Sequence, residues 1–219
     1  MKEEDSNTTI KNMKEEDFES IISKFEGLKT RIKYRSSSAL GKLLFHKILP
    51  YYLPKKAVYY VIYTELKCKK LYRLTRLAGI DGKLYDSIKV IKIGKTDFVP
   101  FGRLYEIISE TENIDTIFST LQSTLANLTE DCIIILCGFD ILIALEGVQV
   151  LRKIREFYED LPDVTIFLTS RDGIYSDVID KILEDFHDIN LTIQQQEFSE
   201  SSFVTVEESV LDITSFPIP

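Results

Sequence analysis

The chain has 219 residues, 44% of them apolar and 28% charged, with a net charge of −8. That length supports one well-buried core with at most a small appendage, and the composition excludes a disordered or fibrous chain. No apolar run approaches the ~18 residues that cross a bilayer, and the polar start lacks a signal-peptide core, so a soluble cytoplasmic protein is expected.

Residues 1–28 read as an N-terminal arm and a helix, and residues 29–219 as a single α/β domain. The helix spans Glu15 to Leu28, with Phe18, Ile21, Ile22 and Phe25 on one face. A short strand follows near Thr30 to Arg35, then a turn at Ser36-Ser37-Ser38 and a helix from about Gly41 to Tyr52, stopped by Pro54. Ala57 to Thr64 is a continuous β-prone run and reads as a buried strand. Leu66 to Ala78 reads as a helix whose wheel puts Lys69, Lys70, Arg73 and Arg76 on one arc and Cys68, Leu71, Leu74 and Ala78 on the other. A strand is expected over Ile88 to Ile93, and helices over Leu104 to Ile108 and Ile114 to Leu128.

Cys132 to Cys137 is the most apolar run in the chain and predicts a central strand covered on both faces. A single helix is expected from Ile141 to Tyr158, a strand over Val164 to Thr169 and a helix near Ser176 to Phe186. Ile189 to Gln194 and Phe203 to Glu207 suggest a closing hairpin. The alternation predicts a three-layer α/β/α sandwich with a mainly parallel sheet and a C-terminal β-hairpin.

In such sheets ligands sit beyond the carboxyl ends of the strands, and three of those ends carry informative residues. Ser36 to Leu43 lies where a phosphate-binding loop would read G-x-x-x-x-G-K-[ST]. Gly41 and Lys42 match, whereas Ser36 replaces the first glycine and Leu43 the Mg²⁺-binding hydroxyl. The segment reads either as a degenerate phosphate loop or as a Ser-capped helix start. Glu65, after the second strand, reads either as a residue that orients a water or as a first-turn acid favoured by the helix dipole. Asp140, three residues past Cys137, has the preference of a helix N-cap. Cys68, Cys132 and Cys137, with only His46 and His187, have no metal-ligand spacing, so no metal site is expected; Cys132 and Cys137 read as core thiols. There is no G-x-S-x-G elbow and no G-x-G-x-x-G after the first strand, which argues against a nucleophilic hydrolase and a dinucleotide fold.

On the Ser-rich loop before Gly41-Lys42, the Val-Ile-Tyr-Thr-Glu strand end, Ile-Ile-Ile-Leu-Cys-Gly-Phe-Asp and Phe-Leu-Thr-Ser at 167–170, the chain resembles the archaeal RecA/KaiC-like P-loop NTPase superfamily. Within it, the chain resembles an uncharacterised archaeal family with a degenerate phosphate loop. The resemblance spans roughly Thr30 to Glu207. It implies a RecA-like sheet with the first strand in the middle, assembly through strand-end surfaces, and a catalytic role for Glu65 in any active ATPase. A vestigial nucleotide site would comprise Ser38, Gly41, Lys42 and Glu65, and ATP is the one cofactor it leaves open.

Charge is unevenly distributed. From Lys29 to Arg76 there are 13 bases and one acid, while from Asp97 to Pro219 there are 24 acids and 6 bases. Frequent Lys, Glu, Ile and Tyr without Trp lean towards a thermophile. The reading that results is a non-catalytic interaction module with a role in an assembly. The alternatives are a divergent ATP-binding protein or weak ATPase, and a nucleic-acid-binding accessory protein using Lys67, Lys69, Lys70, Arg73 and Arg76. Opposite charges on two faces point to a homo-oligomer, with a dimer favoured and Tyr51, Tyr52, Tyr72 and Tyr85 as anchors. A protein partner is expected, and no membrane.

Overall fold

The computed structural model describes residues 15–77, 79–126, 128, 131–161, 163–195, 202–209 and 215–218. Its strands are β1 (Lys29–Tyr34), β2 (Ala57–Tyr63), β3 (Lys89–Gly94), β4 (Arg103–Ser109), β5 (Cys132–Cys137), β6 (Thr165–Arg171), β7 (Ile189–Gln195), β8 (Ser202–Ser209) and β9 (Ser215–Ile218). They form one sheet in the order β4-β3-β2-β5-β6-β1-β7-β8-β9. The first seven are mutually parallel, and β8 and β9 add antiparallel pairs at one edge. Each parallel step needs a crossover, and the helices supply it, which is why both faces are covered.

The first face carries α1 (Glu15–Ser23), α2 (Ser37–Leu43), a π-helical turn (Leu44–Ile48), α3 (Leu49–Tyr52) and α4 (Glu65–Leu77). Their apolar sides, including Ile22, Phe25, Leu43, Ile48, Tyr52 and Leu71, pack on Ile32, Tyr60, Ile62, Ile133 and Ile135 of the sheet. The second face carries α5 (Ile114–Leu125), α6 (Phe139–Glu146), α7 (Val148–Asp160) and α8 (Asp177–Asp185). Phe118, Ile143, Ile154 and Leu183 from these helices meet Val61, Ile134, Leu136, Ile166 and Leu168. Every residue of β5 is buried, as its unbroken apolar run requires.

Several elements differ from the sequence reading. Leu104 to Ile108 is strand β4, not helix: five residues are too few to close stable helical turns, and the edge of β3 offers them a ladder. The long helix expected from Ile141 to Tyr158 is two helices. Gly147, at φ 58 and ψ −128, breaks it in a conformation that a helix cannot propagate through. The helix after β1 begins at Ser37 rather than near Gly41, because Ser36 caps it and accepts from the Ala39 N–H. The π turn has a local cause in Pro50, which lacks an N–H and whose ring crowds the carbonyl four residues back. The chain responds with a bond from the Leu49 N–H to the Leu44 carbonyl, five residues away.

Asp140 is not the cap of α6; Gly138 occupies that position at φ 92, and Asp140 lies buried in the first turn. Strand β9 is an addition to the expected hairpin. Of the four candidate tyrosine anchors, Tyr52 and Tyr85 are buried in the core and unavailable to a partner. Residues 1–14 of the expected arm, and Ala78 of the expected helix, lie outside the described residues.

Candidate functional site

The carboxyl ends of β1 and β5 open into a cavity of about 380 Å³. Tyr34 and Cys137 line its inner end, α2 and the π turn form one wall, and α4 forms the other. Ser37, Ser38, Gly41 and Lys42 line the first wall, and Lys67 and Lys70 belong to the second. Most of the remaining lining is apolar, including Leu40, Leu44, Phe45, Leu71 and Leu74.

The inner end is organised by a polar relay. Lys67 Nζ donates to the Tyr34 hydroxyl at 2.8 Å, and that hydroxyl lies 3.5 Å from Asp140 Oδ2. Burial raises the Tyr34 pKa, and Asp140 adds to this against the opposing pull of Lys67, so the phenol stays neutral. Burial disfavours charge on Lys67. Its surroundings, with Cys137 foremost and then Tyr34 and Asp140, outweigh that and hold its pKa above the ordinary lysine value. Asp140 Oδ1 is buried and has no hydrogen-bond partner among the described residues.

Gly138 makes this approach possible. A Cβ on it would stand 2.6 Å from the Tyr63 carbonyl oxygen and 3.2 Å from Lys67 Cγ, so only glycine lets the β5–α6 turn lie against the start of α4. Thr64, between β2 and α4, is the one non-glycine described residue with positive φ, at 80. Its hydroxyl accepts from the Lys67 N–H at 3.2 Å and so caps α4.

The sequence-derived site residues separate into two groups. Ser38, Gly41, Lys42 and Lys67 meet at the cavity. Glu65 does not line it. Its carboxylate contacts Lys92 Nζ at 2.8 Å and accepts from the Lys95 and Thr96 N–H groups at 3.2 and 3.3 Å. Burial would raise the Glu65 pKa, but the hydrogen bonds from Lys92, Lys95 and Thr96 prevail and hold it near 2. The β1–α2 connection is only Arg35 and Ser36, and Gly41-Lys42 lies inside α2. The amides of Ala39 and Leu40 are occupied by Ser36 Oγ and the Ser36 carbonyl. The local structure is therefore a Ser-capped helix start. Lys69, Lys70, Arg73 and Arg76 all point to solvent, as their wheel predicts, and Lys70 also reaches the cavity.

Sequence reasoning missed the relay. Its signal for Lys67 was present: residues 67, 71 and 74 share one helical face, which places this lysine on the apolar stripe. Among the described residues, no cluster of His, Cys, Asp and Glu could hold a metal, and no helix is long and apolar enough to cross a membrane.

Solved structures match this arrangement along most of its length. A protein from Pyrococcus horikoshii OT3 aligns over 89% of this chain and 93% of its own, with a TM-score of 0.66 and 19% identity. A KaiC-like protein from the same archaeon aligns over 88% and 85%, with a TM-score of 0.54 and 14% identity. The fold is RecA/KaiC-like. An uncharacterized P. horikoshii protein, solved in complex with an unknown peptide, aligns over 84% of each chain with a TM-score of 0.54 and 13% identity. No protein-family model and no curated protein sequence matches the chain. These likenesses carry the fold; the site must be argued from its own residues.

Proposed function

We propose that the chain is a non-catalytic binding module on a RecA/KaiC-like fold, acting within a protein assembly. The observation that carries this reading is the β1–α2 junction. A phosphate cradle needs a loop of free backbone amides before the helix, and here the connection is only Arg35 and Ser36, with Ser36 Oγ taking the Ala39 N–H. Two further features support it. Leu43 and Cys137 stand where a Mg²⁺-dependent site needs a hydroxyl and a strand-end acid, and Glu65 is engaged by Lys92. The peptide on one similarly folded protein makes a peptide or protein segment the first partner class to screen.

The test is an ATPase assay with calorimetry against ATP, with and without Mg²⁺. The expected result is no turnover above background and no difference between the native chain and Lys42→Ala. Steady turnover abolished by Lys42→Ala would replace this reading with a working NTPase. Nucleotide binding without Mg²⁺ is the second reading, favoured by Lys42 lining the cavity; saturable ATP binding in EDTA, lost in Lys42→Ala, would establish it. Nucleic-acid binding through α4 is a third, favoured by the solvent-facing arc of Lys69, Lys70, Arg73 and Arg76. It requires binding that weakens steeply with salt.

A further inference from the structure

We infer that the cavity between α2, the π turn and α4 is a binding site for a small amphipathic monoanion, an alkyl or aryl carboxylic acid, with its carboxylate on Lys67 and its tail among Leu40, Leu44, Leu71 and Leu74. The inference does not rest on the assembly reading, since the cavity can take its ligand in a lone chain or a complex.

The first observation is an exception among the charges. Among the described residues, three bases with almost no exposed side chain are each held by a carboxylate. Arg31 is paired with Asp180, Lys33 with Glu184 at 3.2 Å, and Lys92 with Glu65 at 2.8 Å. Lys67 is partly buried, but its hydrogen bond goes to a neutral phenol, and no described carboxylate lies within ion-pair distance. The site stabilises the ammonium through space, yet the one hydrogen bond described for Nζ goes to Tyr34, and an ammonium has three donors to offer. Lys67 lines the cavity, so an anion can reach it from there.

The second observation is the shape and lining. At about 380 Å³ the cavity falls in the range of roughly 300–1,000 Å³ typical of small-molecule sites. Its lining divides between apolar side chains, Leu40, Leu44, Phe45, Leu71 and Leu74 among them, and polar ones that include Lys67. Such a division suits a ligand with an apolar tail and one charged head. The π turn contributes Phe45 and His46 to the wall, and single π turns inside helices recur at functional sites.

The third observation selects the head group. A phosphate dianion needs several convergent donors, and helix starts usually give them as backbone amides. Here the helix is only seven residues long, Ser36 Oγ takes the Ala39 N–H, and the Leu40 N–H makes its ordinary helical bond to the Ser36 carbonyl. Asp140, behind Tyr34, adds a negative charge that opposes a second charge on the ligand. The Tyr34 hydroxyl accepts from Lys67 and faces Asp140, so the head group is met by the remaining donors of the Lys67 ammonium, and a carboxylate accepts a charge-assisted bond from them.

Calorimetric titration of the full chain with octanoate, 1-octanol and octyl phosphate tests this. Saturable one-to-one binding of octanoate is expected, tighter than that of either analogue. In Lys67→Met, octanoate should weaken at least tenfold while octanol stays within about twofold. Equal octanoate affinity in the variant, tighter binding of octyl phosphate, or no saturable octanoate binding at millimolar concentration would each overturn the inference. Methyl NMR of the native chain gives an answer even if the variant does not fold. Octanoate should move the methyl signals of Leu40, Leu44, Leu71 and Leu74, and shifts confined to other residues would place the acid elsewhere and refute the site.

Discussion

Glu65 Oε2 lies 2.8 Å from Nζ of Lys92, a lysine with no exposed side-chain surface. Lys92 also donates to Thr96 Oγ1 at 3.1 Å and to the Phe98 carbonyl at 2.7 Å. The acid at the end of β2 thus neutralises a buried cation of β3. Removing one partner of such a pair leaves an uncompensated charge, which typically costs about 3–5 kcal/mol. Glu65→Ala should therefore lower unfolding stability by about 3 kcal/mol in urea titrations at pH 7. The pH dependence has a definite sign. The native pKa is near 2, below the ~4.3 of an unfolded glutamate, so the contribution is complete above about pH 5 and fades as pH falls towards 2. Glu65→Gln should flatten that part of the profile. An unchanged profile would mean that the pair does not stabilise the native state.

Thr64 sits at φ 80, where a β-branched side chain costs roughly 1–2 kcal/mol. Its hydroxyl caps α4 through the Lys67 N–H, so the strain and the cap belong to the same residue. Asparagine tolerates this backbone region and keeps an acceptor oxygen at the same reach. Thr64→Asn should raise stability by about 1 kcal/mol in a urea titration. A loss of stability would show that the threonine methyl contributes packing that outweighs the strain.

What the sequence disclosed follows from which forces act locally. The Ile133 to Leu136 run can only be a strand covered on both faces, and the α4 wheel fixes which side meets water; both are local patterns. The break at Gly147 and the strand β4 were hidden because a glycine within an apolar period and the short segment Leu104 to Ile108 fit more than one template. The basic residues of β1 were misread for a different reason. Lys29, Arg31 and Lys33 alternate as a strand does, but the partner of Arg31 in α8 lies 149 positions later. Composition registered a basic segment and an acidic one, and the fold joins part of each. The Lys67–Tyr34–Asp140 relay was out of reach for the same reason, being assembled from three distant segments.

His187 is a buried histidine of the α8–β7 turn, and its ring is fixed at both nitrogens. A carbonyl can only accept, so Nδ1–H donates to the Leu183 carbonyl, and Nε2 accepts from the Tyr158 hydroxyl at 3.0 Å. Burial drives the pKa down to about 3, with Arg31 and Lys29 adding to it against the Leu183 hydrogen bond. The unfolded chain takes up this proton near pH 6.5. Between about pH 6.5 and 3 the unfolded state binds more protons, so stability is complete above that window and falls on acidification. The slope from this group is about 1.4 kcal/mol per pH unit well inside the window. His187→Gln should flatten the profile between pH 6.5 and 5, above the range of Glu65. The native ring proton signals, followed by NMR, should show no titration down to pH 5; a midpoint near 6.5 would sink the assignment.

The charge distribution bears on assembly only after its internal pairs are set aside. Arg31 is fully buried, bonded to Ser170 Oγ at 3.0 Å and ion-paired with Asp180, while Lys33 reaches Glu184 and Arg35 reaches Asp172. Arg31 and Lys33 hold α8 against β1 and are buried away from any partner, whereas Arg35 keeps 86% of its side chain exposed beside Asp172. Asp180→Asn should cost about 3 kcal/mol, near the lower end for buried pairs because Asp180 keeps 33% of its side chain exposed. It should leave the oligomeric state unchanged. The arc of Lys69, Lys70, Arg73 and Arg76 is different, because none of the four forms an ion pair with a described residue. If the homodimer expected from the charge distribution forms by charge pairing, Lys69→Glu with Arg73→Glu should reduce the mass seen by light scattering at low salt while preserving the unfolding midpoint. A monomer mass for the native chain at both low and high salt, at tens of micromolar protein, removes self-assembly. The arc would then be free for a separate acidic partner or a nucleic acid, which the salt dependence of binding tells apart from a solvated face.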